Sequence, residues 1–262
     1  MNIQLHNKNC LDLIKEMEAD SIGITITSPP YNMNLRIRNG KYCSRQIIPE
    51  ISTKYQNFSD NLPIDEFYSF HSEVLNHLIR VSRLVFYNIG IVTGSKRAFF
   101  KLIGDFNENL KDIIVWDKVR SAPSIARGVL TRRTEFILVF SKDAISRSFS
   151  SCNFPKGTEE DLWVIQPPRA KNELNQAGFP LGIPIKILSL FGTTGDIIFD
   201  PFLGTGTTGK AAARLGYDFL GCEIDEETFQ FAKKNIENET KQLRHCLASN
   251  KTQHHIPAIN HS

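Results

Sequence analysis

Residues 199–209 read FDPFLGTGTTG, and the glycines at 204, 206 and 209 stand between an apolar run, IIFD, and a helix-forming run, GKAAARLG. No other feature constrains the fold as tightly. Glycines at this spacing require a strand that turns at its C-terminal end straight into a helix, the opening half of a βαβ unit in a parallel sheet. The next apolar run, DFLGCEID, places a carboxylate, Glu223, at its end.

The rest of the chain repeats the alternation. IQL, IGITIT, RLVFYNIGIV, DIIVWDK and EFILVFSK read as strands, being short apolar runs rich in β-branched and aromatic residues. LDLIKEME, residues 63–81, residues 95–109, IPIKILSLF and the run after Glu226 read as helices, the second opened by Pro63, Asp65 and Glu66. Alternation of this kind predicts an α/β fold with a mostly parallel sheet covered on both faces. Ser28-Pro29-Pro30 stops the second strand abruptly, because consecutive prolines can continue neither element. Residues 32–60 are polar, lack a clean period and read as a long loop of the kind used as a functional lid. Residues 141–180 read as polar and irregular, and the tail after about residue 244 as disordered. Its histidines (His245, His254, His255 and His261) read as a solvated tail, not as metal ligands.

Composition excludes more than it selects. In 262 residues, 41% hydrophobic content suffices for a core, and a net charge of +3 carries no nucleic-acid argument without a local basic patch. The five cysteines (Cys10, Cys43, Cys152, Cys222, Cys246) form no Cys-x-x-Cys pair, which predicts reduced thiols and no structural metal site. No basic-then-apolar leader opens the chain and no apolar run approaches membrane-spanning length, so a soluble, cytoplasmic protein is expected.

The glycine-rich loop suits a nucleoside cofactor. Glycines let backbone approach the ligand, and a carboxylate at the next strand end accepts hydrogen bonds from ribose hydroxyls. A nicotinamide dehydrogenase is one reading. Two observations weigh against it: that fingerprint usually opens its fold, whereas here it starts at Gly204, and Asp200-Pro201-Phe202 sets a carboxylate where a pyrophosphate would be repelled. A sulfonium cation with an amino-acid head group tolerates that carboxylate.

Thr27-Ser28-Pro29-Pro30-Tyr31-Asn32 follows a strand end, where open α/β sheets bind ligands. Ser28 offers a hydroxyl acceptor, the prolines offer rigidly held carbonyl oxygens, and Tyr31 offers an aromatic face. Together they seat a planar base carrying an NH2 group. Such an amine is a poor nucleophile because its lone pair is delocalised into the ring; fixed acceptors for both N–H groups favour a pyramidal nitrogen that can attack a methyl carbon.

Ser28-Pro29-Pro30-Tyr31 followed far downstream by Asp200-Pro201-Phe202-x-Gly204-x-Gly206 resembles the amino-methylating DNA methyltransferases, and the order of the motifs is similar to the β group. The likeness covers nearly the whole chain. It implies a Rossmann-like fold with an inserted DNA-recognition region: a catalytic half at about 1–117, target recognition at about 118–175, a cofactor half at about 176–244 and a tail at 245–262. It implies S-adenosylmethionine as cofactor. Asp200, Pro201, Phe202, Gly204, Gly206 and Thr207 would line its methionine part and Glu223 would hold the ribose, with Ser28 reaching the same pocket. Asn9 and Cys10 stand where many members carry an acidic residue beside the adenine. Residues 175–180 (NQAGFP) resemble the segment that covers the cofactor, with Asn175 in place of a frequent histidine and with Phe179 and Pro180 as the contacts.

The same resemblance puts duplex DNA against the middle of the chain. Lys118, Arg120, Arg127, Arg132 and Arg133 make 118–133 locally basic, and Arg36 and Arg38 add charge in the lid segment. The target base would be flipped out of its stack. Serine at the head of the four-residue loop is commoner in cytosine-N4 enzymes and aspartate in adenine-N6 enzymes, so Ser28 favours cytosine, with adenine as the alternative. A DNA-binding protein that keeps the cofactor without turnover is a further reading, opposed by the intact Ser28–Tyr31 loop. A cognate restriction endonuclease and a homodimer are the partners such enzymes suggest.

Overall fold

The β-branched and aromatic runs form strands, and the periodic runs between them form helices that cover both faces of one sheet. The computed structural model describes residues 1–32, 35–38, 41–44, 62–120, 127–167 and 180–252, with only the backbone described for 35–38, 41–44 and 245–252. In chain order the elements are β1 (Ile3–Asn7), α1 (Cys10–Glu16), β2 (Ile22–Thr27), β3 (Leu35–Arg38), β4 (Lys41–Ser44), α2 (Ile64–Val81) and β5 (Ser82–Ile89). There follow α3 (Lys96–Asp105), β6 (Leu110–Asp117), β7 (Thr134–Phe140), β8 (Leu162–Val164), α4 (Gly182–Phe191), β9 (Ile197–Asp200), α5 (Thr207–Leu215), β10 (Asp218–Glu223) and α6 (Glu226–Thr252).

Eight of the strands make one sheet in the order β1-β10-β9-β2-β5-β7-β6-β8. From β1 to β5 all neighbours are parallel; β7 lies antiparallel between β5 and β6, and β8 is parallel to β6. Successive residues of β5 serve opposite faces. Leu84 and Phe86 pack with α4, α5 and α6, while Val85 and Tyr87 pack with α1, α2 and α3. Burial on both faces explains why β5 reads as a continuous apolar run without alternation. Phe86 and Tyr87 are fully buried, each worth about 1.5–3 kcal/mol.

The mostly parallel sheet with helices on both faces is the expected architecture. Three local expectations change. The segment read as a loop at 32–60 contains an antiparallel hairpin, β3–β4, in register Leu35↔Ser44 to Arg38↔Lys41. The irregular stretch at 141–180 contributes β8, whose three residues pair with Val115–Asp117; so short a strand leaves no periodic signal. The helix α6 continues to Thr252, beyond the point where a disordered tail is expected. No helix among the described residues is long and apolar enough to cross a membrane.

The connections place the ligand. From β9 the chain crosses through α5 to β10 on one side, and from β2 it passes through α2 to β5 on the other. The strand order therefore reverses between the adjacent strands β9 and β2. Crevices at the carboxyl ends of such a pair are where open parallel sheets bind ligands.

Candidate active site

The two motifs lie at that reversal, one on each strand end. Thr27 closes β2 and Asp200 closes β9, and the Thr27 hydroxyl donates to Asp200 Oδ1 at 2.7 Å. Thr208, in the first turn of α5, donates to Asp200 Oδ2 at 2.7 Å, and the Phe202 amide donates to Oδ1 at 3.2 Å. Asp200 is 2% exposed. Burial pushes its carboxyl up to about 6, and the three donors oppose that rise by favouring the ionised form. Its oxygens are thus engaged inside the protein, tying the Ser-Pro-Pro-Tyr strand to the glycine-rich helix.

Two glycines of that loop occupy the left-handed region, Gly204 at φ 52° and Gly206 at φ 83°. Gly209 has a different reason: a Cβ there would lie 2.5 Å from Ile236 Cδ1 and 2.8 Å from Phe219, so only glycine lets α5 sit this close to α6 and β10. At the end of β10, Glu223 accepts from the Gly204 amide at 2.9 Å and from the Asp225 amide at 3.1 Å. Burial raises its carboxyl too, with Asp225 adding like-charge repulsion.

Asp200, Glu223 and Asp225 are all nearly buried, and no ion pair to any of them occurs among the described residues. A negative pocket beside a left-handed glycine turn suits a cationic nucleoside and repels a pyrophosphate. Pro201, Phe202 and Thr207 border the same turn. Phe202 packs edge-on against Phe70 of α2.

Asn9 and Cys10 sit at the neighbouring end of β1. The Asn9 side chain caps α1 by accepting from the Leu11 amide at 2.9 Å. Cys10 is buried, and burial raises its thiol far above the usual range. The residue reaching Glu223 from this side is Asn7, whose amide donates to the Glu223 carbonyl at 2.9 Å. Pro180 is buried at the entry to α4, where its carbonyl accepts from Ile183. Asn175 and Phe179 lie outside the described residues.

Beyond Ser28, Pro29 and Pro30, the chain turns at Asn32, a buried non-glycine residue at φ 55°. Its side-chain amide donates to the carbonyls of Leu62 at 2.9 Å and Gly94 at 3.3 Å, holding the loop against both neighbouring segments. Tyr31 lies over Gly90, where a Cβ would come within 2.7 Å of the ring. Its hydroxyl meets Ser28 Oγ at 2.9 Å, Asn88 Nδ2 at 2.6 Å and Glu135 Oε2 at 3.1 Å. Asn88 Nδ2 also donates to Glu135 at 2.9 Å, and Lys118 Nζ pairs with Glu135 Oε1 at 3.0 Å.

Asn88 and Glu135 are absent from the sequence expectation. Each leaves a faint signal, an amide within the apolar run LVFYNI and a carboxylate beginning EFILVF. Their partners come from strands β2, β5 and β7, which no local pattern brings together. Beneath the loop, His71 of α2 pairs with the Tyr87 hydroxyl at 2.5 Å, and burial lowers the imidazole to about 3, so it stays neutral.

The basic segment rises from the same sheet edge, since β6 is parallel to β5 through β7. Arg120, Arg127 and Arg132 are exposed. Lys118 is committed to Glu135, and Arg133 makes a two-pronged pair with Asp117 at 2.5 and 2.6 Å. The backbone of Arg36 and Arg38 lies in β3.

With this geometry in place, comparison with known proteins decides the family. Residues 22–234 match the DNA methylase family of N6 and N4 amino specificity. The chain belongs to that family. Among curated relatives, this methylase is 28% identical to the Type II methyltransferase M.MjaI of Methanocaldococcus jannaschii, covering 87% of this chain and 89% of that protein. It is 24% identical to M2.MboI of Moraxella bovis, covering 93% and 90%. Among solved structures, the methylase shares its fold with the PvuII cytosine-N4-specific DNA methyltransferase (TM-score 0.64, 15% identity, 92% of each chain). It also shares it with the M1.HpyAVI complex with S-adenosylmethionine (TM-score 0.62, 22% identity, 89% of this chain and 98% of that one).

Proposed function

We propose that this methylase transfers a methyl group from S-adenosylmethionine to the N4 amino group of cytosine in duplex DNA. The observation that carries the reading is the 2.7 Å Thr27–Asp200 bond, which holds the amine-binding loop and the negative glycine-rich pocket side by side. Bound S-adenosylmethionine would supply an electrophilic methyl group on a sulfonium centre. Glu223 would hold its ribose, the glycine turn would line its methionine part, and the uncompensated carboxylates would favour its positive charge. Ser28 and the proline carbonyls would accept from the exocyclic amine, holding the nitrogen in line with the methyl carbon. Tyr31 would border the base.

The amine of a stacked base is out of reach, so the target nucleotide must be turned out of the duplex into the crevice. Residues 118–175 are assigned to target recognition, with exposed Arg120, Arg127 and Arg132 facing phosphates. Similarity to Type II methyltransferases supports a place beside a cognate restriction endonuclease. Serine, not aspartate, at position 28 favours cytosine over adenine.

Mass spectrometry of DNA from cells expressing the protein tests this directly. N4-methylcytosine is the expected product. N6-methyladenine would overturn the choice of base while keeping the reaction, and unmodified DNA from cells containing folded protein would overturn the substrate.

A further inference from the structure

Glu135 touches neither motif in the sequence, yet it receives three donors at the heart of the site. A carboxylate only accepts, so Tyr31, Asn88 and Lys118 must each donate to it. Tyr31 has one hydroxyl hydrogen and two acceptors within reach, the Asn88 carbonyl at 3.4 Å and Glu135 Oε2 at 3.1 Å; the shorter contact, to a carboxylate, takes it. The 2.9 Å contact between Tyr31 and Ser28 then has a single polarity: Ser28 donates its own hydrogen to the Tyr31 oxygen. Asn88 supplies the second hydrogen accepted by that oxygen, at 2.6 Å. Asn88 Nδ2 also lies 3.3 Å from Ser28 Oγ, but its two hydrogens go to the nearer Tyr31 and Glu135 oxygens, which leaves a Ser28 lone pair for the incoming amine.

We propose that Ser28, Tyr31 and Glu135 form a proton relay, with Glu135 as the positioned carboxylate that receives the proton released when the target amine is methylated. The proposal rests on the amino-methyltransfer reading above. As the nitrogen lone pair forms the bond to the methyl carbon, the carbon–sulfur bond breaks with its electron pair left on sulfur. One N–H bond then breaks and its electron pair returns to nitrogen. The proton goes to Ser28 Oγ, the Ser28 hydrogen goes to Tyr31 Oη, and the Tyr31 hydrogen goes to Glu135 Oε2. Glu135 ends as a neutral acid beside the Lys118 ammonium and loses its proton to solvent, since both side chains retain some exposure, 17% and 19%. Rotation of the two hydroxyls restores the starting polarity.

The relay also gives Lys118 a place. It stands where β6 leads into the basic segment, so DNA held by that segment is one residue contact away from the carboxylate that sets the Ser28 hydroxyl.

The experiment is single-turnover methylation of a duplex containing the modified sequence, in H2O and D2O, by wild-type protein, Glu135→Gln and Tyr31→Phe. Cofactor and DNA binding are measured alongside. Wild type should show a normal solvent deuterium effect with a proton inventory curved by more than one moving proton. Glu135→Gln should bind both ligands as wild type does, methylate about 100-fold more slowly, and lose that curvature. Tyr31→Phe keeps the ring and removes the hydroxyl that Ser28 and Asn88 meet, so it should lose the curvature as well, which covers the case of a Gln variant that fails to fold. Slowed variants with the wild-type isotope effect would reduce Glu135 to a structural prop and overturn the relay. Unslowed Glu135→Gln would overturn it too, with the methylation reading intact. Wild-type protein that leaves DNA unmethylated would overturn both.

Discussion

Gly90 shows how much of this site rests on a missing methyl group. A Cβ there would stand 2.7 Å from Tyr31 Cε2 and 2.8 Å from Cδ2, so Gly90→Ala must push the ring sideways. The φ of Gly90 is not positive, and alanine adds no backbone strain. The protein should therefore fold, with Tyr31 displaced from Ser28, Asn88 and Glu135. Misplacement of about 1 Å costs roughly 100-fold in rate. Gly90→Ala should lower the methylation rate by that order while cofactor affinity, measured by calorimetry, stays at the wild-type value; an unaltered rate would remove Tyr31 from the chemistry. Ser28 and Tyr31 are legible in the sequence because their motif is contiguous. Gly90 and Glu135 are not, because their significance lies in what another strand sets against them.

At the scale of elements, the segment joining β6 to β7 divides its charges by partner. Arg133 is paired with Asp117 and Lys118 with Glu135, whereas Arg127 and Arg132 are exposed. Each phosphate neutralised contributes a slope of about −0.9 to log K against log salt. Arg127→Ala combined with Arg132→Ala should reduce the measured slope by nearly two. Arg133→Ala should reduce it by less than one, because Asp117 already compensates that charge. Equal losses for all three would mean that DNA breaks the Asp117 pair. The sequence shows a basic interval at 118–133, and only the fold sorts its members. The hairpin β3–β4 and the strand β8 teach the same lesson. Four- and three-residue strands carry too few positions to show a period, and pairing alone defines them.

For the whole molecule, Asp200 joins three elements through one buried carboxylate, and its chemistry makes stability depend on pH. Its carboxyl is raised from 3.8 to about 6 in the folded protein. Folding therefore favours the protonated form, and the cost of the buried charge is present above about pH 6 and relieved as pH falls through it. Relative to Asp200→Asn, the wild-type protein should gain stability between pH 7.5 and pH 5, on the order of 1 kcal/mol in chemical denaturation. Affinity for a cationic cofactor should move oppositely, weakening over the same interval in wild type and weakening less in the variant, where Glu223 is the remaining carboxyl raised by burial. A wild-type stability difference that does not vary with pH would contradict the buried, charged state assigned to Asp200.

The sequence by itself determined the parallel α/β class, the two motifs and their family, because a strand-to-helix glycine turn and a strand-ending proline pair are local constraints written in adjacent residues. It also determined that both faces of the sheet are covered, since strands such as LVFYNI are apolar without alternation. Tertiary structure decided what those motifs do together. The reversal of strand order between β9 and β2 brings residues 27 and 200 into one hydrogen bond. The antiparallel insertion of β7 beside β5 places residue 135 against residues 31 and 88. Contacts spanning 173, 104 and 47 positions depend on sheet order and register, which no window of sequence contains.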